Sequence, residues 1–132
     1  MRFYCPTLPS TGTVELPEEE AIHATRVLRL KPGDECELFD GCGAAAAVRL
    51  TDVDRRQVTA RVIAYRGPTC KVACHLHLAV GLPRGDRQRN VIERAVELGV
   101  DSFVPVQCEF GVALSKDSTI EKLQRQVIES CK

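Results

Sequence analysis

Between residues 57 and 65 apolar and polar side chains alternate. Val58, Ala60, Val62 and Ala64 fall on one side, Thr59, Arg61 and Ile63 on the other. A period of two marks a half-buried β-strand. Shorter strand-like runs occur at Arg2–Tyr4, Glu35–Phe39 and Ala44–Leu50. Lys31-Pro32-Gly33-Asp34 and Asp40-Gly41-Cys42-Gly43 supply the turns between them. One helix interrupts the strands. Pro17 opens it, Glu18, Glu19 and Glu20 suit the positive end of its dipole, and it is expected to run to Leu28. Several short strands with one helix predict a small β-barrel over residues 1–68.

Residues 69–132 follow a different period. Val72–Leu82 reads as a strand. Arg87–Leu98 reads as a helix that buries Val91, Ile92, Ala95, Val96 and Leu98, and Gly99 stops it. Ser102–Gln107 is a second strand. Ser118–Cys131 is a second helix, with Ser118 as its cap and Glu121 three residues on. The order β-α-β-α predicts parallel strands joined by crossover helices. Arg66-Gly67-Pro68 marks the boundary between the two patterns. Parallel sheets are normally covered on both faces. Two strands and two helices are about half of a doubly wound domain, so the pattern predicts a fragment or a natural truncation.

Composition narrows the classes. A chain of 132 residues holds one ordinary domain or two small ones. With 18 Lys+Arg against 18 Asp+Glu, a polybasic tail and an acidic disordered activator are excluded. The absence of a long apolar run predicts no membrane span, and the N-terminus carries no apolar signal segment. Seven cysteines, an odd number without a secretion signal, are expected to be reduced thiols of a cytoplasmic protein. Cys74 and Cys108 are expected to be protected if the second half folds. Balanced charge does not exclude RNA, because placement matters more than the sum. Thirteen of the cations are Arg, the side chain suited to bidentate phosphate contact. Arg26, Arg29 and Lys31 form one cluster; Arg84, Arg87, Arg89 and Arg94 form another. Either cluster reads as a solvated face or as an anion contact.

Cys70, Cys74, His75 and His77 invite a metal reading. On a strand, however, Cys70 and Cys74 lie about 13 Å apart, too far to share an ion; no metal is expected. Gly81-Leu-Pro-Arg84-Gly85-Asp86-Arg87 joins a strand to a helix N-terminus, a place where unpaired amides favour anions. Alone it is also an ordinary βα loop. Asn90, Glu93, Arg94 and Glu97 recur on the polar side of that helix, and Arg89 stands four residues before Glu93, the spacing of an ion pair. No Gly-x-Ser-x-Gly, no His-Glu-x-x-His and no paired carboxylates at metal spacing occur, so hydrolytic chemistry has no support.

Two segments carry a resemblance. His23-Ala-Thr-Arg26-Val-Leu-Arg29-Leu-Lys31-Pro-Gly-Asp34, followed by Glu37-Leu-Phe-Asp-Gly41, resembles the N-terminal domain of the ribosomal RNA small-subunit methyltransferase E family. Leu82-Pro-Arg84-Gly-Asp-Arg87, then Glu93-Arg-Ala-Val-Glu-Leu-Gly-Val100 and Val104-Pro105, resembles the start of its catalytic domain. The resemblance implies an α+β chain: a PUA-like β-barrel (1–68), then the first β-α-β-α part of a SPOUT trefoil-knot α/β domain (69–132). It implies S-adenosylmethionine as methyl donor, N3 of a uridine in 16S rRNA as acceptor, the small ribosomal subunit as partner, and a homodimer. Arg26, Arg29, Lys31, Arg84 and Arg87 become expected RNA contacts. Arg84, Glu97 and Glu109 become catalytic candidates. The donor-binding residues are expected in the part that family members have beyond this chain. Cys108-Glu109-Phe110 departs from the Ser-Glu-Arg common in the family. A non-catalytic RNA-binding module and an inactive truncated product stay open beside the enzyme.

Overall fold

The computed structural model describes residues 1–68, 74–83, 85–109 and 117–132. The chain separates into two compact units, residues 1–71 and 72–131.

In the first unit, β1 (Arg2–Tyr4), β2 (Thr13–Glu15), β3 (Glu35–Phe39), β4 (Ala45–Val53) and β5 (Val58–Arg66) form one sheet in the order β1-β3-β4-β5-β2. Only the β1–β3 pair is parallel. The short β2 has no clear sequence signal. The alternation along β5 holds at first: Val58 and Ala60 are buried, Arg61 is exposed. A bulge follows, since Val62 pairs with Val48 and Ala64 with Ala47, leaving Ile63 unopposed. Bulges bend a strand, and beyond this one Ala64 and Tyr65 are exposed. Phe3, Val14, Leu38, Val48, Leu50 and Ala60 build the core from all five strands, joined by Ala21, Ala24 and Leu30.

The helix differs from expectation. It is α-helical over α1 (Glu18–Ile22), then π-helical over His23–Val27. The Thr25 hydroxyl donates to the Ala21 carbonyl at 2.9 Å and lies 3.3 Å from that of Ile22. Such bonds compete with the backbone ladder. The Leu28 amide then reaches back five residues to the His23 carbonyl at 3.1 Å.

In the second unit, β6 (His77–Val80) pairs in parallel with β7 (Ser102–Pro105), Leu78 opposite Phe103. The crossover is α2 (Asp86–Glu97), which buries Ile92 and Ala95. α3 (Asp117–Ser130) follows and packs beside α2, burying Leu123. It starts at Asp117, so Ser118 is already helical rather than the cap. β6 is shorter than predicted, and part of its expected range, with Cys70, lies outside the described residues. Gly99 ends α2 as predicted: at φ +69° it donates to Val96 O, while the Val100 amide reaches Ala95 O at 2.9 Å. That pair of bonds is a Schellman motif. Leu98, expected inside, is 75% exposed at this terminus. It borders an apolar concavity of about 380 Å³ with Leu76, Leu78, Val91 and Val100. Among the described residues no helix is long and apolar enough to cross a membrane.

Cys5 and Cys36 are buried, and burial pushes both thiols up, Cys36 to about 11. Cys74 and Cys108 are exposed, against expectation: Cys74 precedes β6 and Cys108 follows β7, outside the paired strands. At pH 8 iodoacetamide should therefore label Cys42, Cys74 and Cys108 and spare Cys5 and Cys36 until the first unit unfolds. Leu50→Ala should cost that unit about 2–5 kcal/mol, the range for emptying a buried Leu site. Urea titration read by Cys36 reactivity checks both; a loss below about 1 kcal/mol would contradict the central place given to Leu50.

Candidate nucleic-acid interface

The first basic cluster lies where the π-helical turn leaves the sheet. Ala24 is fully buried, which turns its neighbour Arg26 outward to solvent. Val27 is 65% exposed beside it. The turn ends on Arg29 at φ +54°, a left-handed conformation unusual for a residue with a Cβ. Two anchors impose it. The Leu30 amide donates to Ala24 O at 3.0 Å, and the Leu30 side chain enters the core. Lys31 follows in a turn closed by its own amide on Asp34 Oδ2 at 2.8 Å. That turn is sewn to β4, with Gly33 N donating to Leu50 O and Leu50 N to Asp34 O. Arg26, Arg29 and Lys31 are all exposed, on backbone fixed by core contacts.

Among the described residues these three cations have no ion-pair partner. The cations on the strands differ: Arg2 is 2.6 Å from Glu37 and Arg49 pairs with Glu35. Unpaired cations on a fixed backbone suit a polyanion, because neutralising phosphates releases counterions without first breaking an ion pair.

In the second unit the candidates divide between two edges. Gly81, Arg87 and Glu109 lie at the carboxyl edge of the β6–β7 pair, the edge where open α/β sheets bind ligands. Arg87 stands at the start of α2, exposed. Glu109 is exposed just after Cys108, whose Sγ packs so close to Gly81 that a Cβ there would meet it at 3.1 Å. Glu97 ends α2, ten residues on from Arg87, or about 15 Å along the axis. It therefore sits toward the amino edge, engaged by Arg94. The structure brings Arg87 and Glu109 to one edge and sets Glu97 apart. Arg84 and Phe110 lie outside the described residues. The expected Arg89–Glu93 pair forms at 2.7 Å, and Glu93 raises the Arg89 pKa further.

His75 and His77 face β7 rather than an ion. His75 Nδ1 is 3.1 Å from Asp101 Oδ1, and His77 Nδ1 is 2.7 Å from Ser102 Oγ. Among the described residues no group of three or more His, Cys, Asp or Glu is placed to hold a metal.

A PUA-type unit joined to an RNA methyltransferase domain is the class that these two halves define. The family model for the RNA methyltransferase PUA domain matches residues 16–63, and that for the RNA methyltransferase domain matches 70–132. Across both domains the chain is similar to members of the ribosomal RNA small subunit methyltransferase E family. It is 33% identical over 123 residues to that protein of Mycobacterium tuberculosis, covering 92% of this chain and 47% of the relative. To the Bacillus subtilis protein it is 29% identical over 117 residues, covering 89% and 43%. The chain thus spans about half the length of these relatives. Among solved structures it is similar to the Neisseria gonorrhoeae small subunit methyltransferase E bound to S-adenosyl methionine, with 30% identity and a TM-score of 0.85, covering 98% of this chain and 54% of the other. It is also similar to a Thermotoga maritima predicted RNA methyltransferase, with 30% identity and a TM-score of 0.82, covering 99% and 59%.

One titration follows from the second unit. The Leu76 amide, donating to Asp101 Oδ2 at 2.8 Å, and His75 hold the Asp101 carboxyl below its ordinary value. A carboxyl lowered in the folded state stabilises the fold above its unfolded pKa and loses that contribution as pH falls through the folded one. The β6–β7 entry should therefore stay clasped at neutral pH and loosen below about pH 4. The Leu76 amide resonance, followed by NMR against pH, should move with a midpoint below that of a free Asp; a midpoint at or above it would contradict the clasp.

Proposed function

We propose that this chain is the RNA-gripping unit and the first catalytic segment of an S-adenosylmethionine-dependent methyltransferase acting on N3 of a uridine in small-subunit ribosomal RNA. The observation that carries this reading is the ordered match of both domain models, in a chain whose first unit presents unpaired cations on a fixed backbone.

The donor, when bound, supplies an electrophilic methyl group. At the carboxyl edge the Cys108 Sγ packs against Gly81. Of the concavities formed by described residues, the apolar one lies toward the amino edge and another, of about 390 Å³, lies between α2 and α3. The residues of this chain have other work. Arg26, Arg29 and Lys31 hold RNA phosphates. Arg87 attracts phosphate or uridine carbonyl oxygens at the carboxyl edge, where a cation also favours loss of the weakly acidic N3 proton, and Arg84 is proposed to share that role. Glu109 lines the same edge. Glu97, turned toward Arg94, positions that side chain and stands apart from the acceptor.

Calorimetric titration of S-adenosylmethionine into this chain, beside a chimera extended with the remaining half of the Mycobacterium tuberculosis relative, tests the reading. Donor binding and arrest of reverse transcription at one rRNA uridine are expected for the chimera. The chain alone should bind RNA without the donor. An extended form that binds neither would overturn the proposal. In the chimera, Arg87→Ala should lower methylation about 10–100-fold, the loss of one charge-assisted hydrogen bond, with melting unchanged. A second reading, an RNA-binding module without chemistry, draws on the exposed Arg26, Arg29 and Lys31 of the first unit; it predicts an extended form that binds rRNA and leaves it unmodified.

A further inference from the structure

The β4–β5 turn, Asp54 to Gln57, is thirty residues from the basic cluster in sequence and adjacent to it in space. The Thr25 hydroxyl, next to Arg26, gives its proton to Ala21 O at 2.9 Å and lies 3.3 Å from the Arg55 carbonyl oxygen. The following residue, Arg56, reaches Glu18 of α1 at 3.6 Å. Two contacts thus tie the hairpin tip to the helical segment. The acidic group beside Arg55 is engaged with backbone: Asp54 Oδ1 accepts the Arg55 amide at 2.7 Å. The Arg55 side chain is exposed and has no ion-pair partner among the described residues.

We infer that Arg55 is a further RNA contact and that the β4–β5 turn forms the far end of a continuous phosphate track running from Lys31 through Arg29 and Arg26 to Arg55. This deepens the proposed function and rests on its reading of the first unit as the RNA grip. The span identifies the ligand class. The Lys31 turn is bonded to β4 at Leu50, and Arg55 lies five residues farther along the same strand and turn. Three of those residues are strand, about 10 Å at roughly 3.3 Å per residue, and the turn carries Arg55 beyond them. One phosphate cannot reach both ends, whereas a strand of several nucleotides can. Glu18 neutralises Arg56, so the track passes through Arg55 rather than its neighbour. Thr25 lies where the turn approaches the helical segment, and the guanidinium groups on either side of it do the binding.

The test is fluorescence anisotropy of a short labelled RNA stem–loop with the whole chain, over a series of salt concentrations. Arg55→Ala should weaken binding about 5–10-fold near 0.1 M salt and reduce the log–log salt slope by about 0.7–0.9, the loss of one phosphate contact. Arg55→Lys should recover most of the affinity. Arg49→Ala, which removes a strand cation already paired with Glu35, should change binding less than about twofold. Retained protection of Cys5 and Cys36 confirms that each variant is folded. If Arg26→Ala and Arg29→Gly weaken binding but Arg55→Ala does not, the track ends at Arg26 and the inference fails while the RNA grip stands. If the unmodified chain shows no salt-dependent RNA binding, the grip itself fails.

Discussion

One residue of β4 holds the basic end of the first unit together. Leu50 is almost wholly buried, pairs with Ala60 across the sheet, and exchanges backbone bonds with both Gly33 and Asp34. Its side chain belongs to the core and its backbone to the turn that carries Lys31. Arg29 is fixed from the other side, through Leu30, whose amide and side chain are both committed to the interior. A cation on such backbone loses little further freedom when it meets a phosphate, and less ordering cost is deducted from the binding energy.

The π-helical turn belongs to the same logic. Single π turns cluster at functional sites. Here the extra residue per turn buries Ala24, exposes Arg26, and leaves Arg29 in a left-handed conformation that costs about 1–2 kcal/mol for an L-residue. Glycine at position 29 would relieve that strain. An arginine held there in spite of it fits the phosphate contact proposed for its charge.

Much of this was legible in sequence, and the gaps have physical causes. The alternation of β5, the Lys31–Asp34 turn, the Gly99 stop and the Arg89–Glu93 pair all depend on neighbours within a few residues, so local pattern reports them. The π turn escaped because periods of 3.6 and 4.4 are indistinguishable over five residues; Thr25 alone hinted at it. β2 escaped because three residues carry no period. The exposure of Leu98, Cys74 and Cys108 depends on which faces the rest of the fold covers, and periodicity reports only which face is apolar. The approach of Arg55 to Thr25 is a long-range contact without a local signature. For the candidate site, clustering pointed to Arg26, Arg29 and Lys31, which the structure leaves exposed. Clustering also grouped Glu97 with Arg87 and Glu109, because sequence proximity does not distinguish the two edges of a parallel β-α-β unit.

The claim on which the rest depends is that the basic end is built before RNA arrives. Native-state hydrogen exchange of the free chain addresses it directly. The amides of Gly33, Leu50 and Leu30, all bonded to carbonyls at this end, should exchange as slowly as those of Val48 and Ala60 in the core, requiring opening of the whole first unit. Fast exchange at Leu30 and Gly33 beside a protected core would mean that the cations are ordered only on binding, contradicting the account.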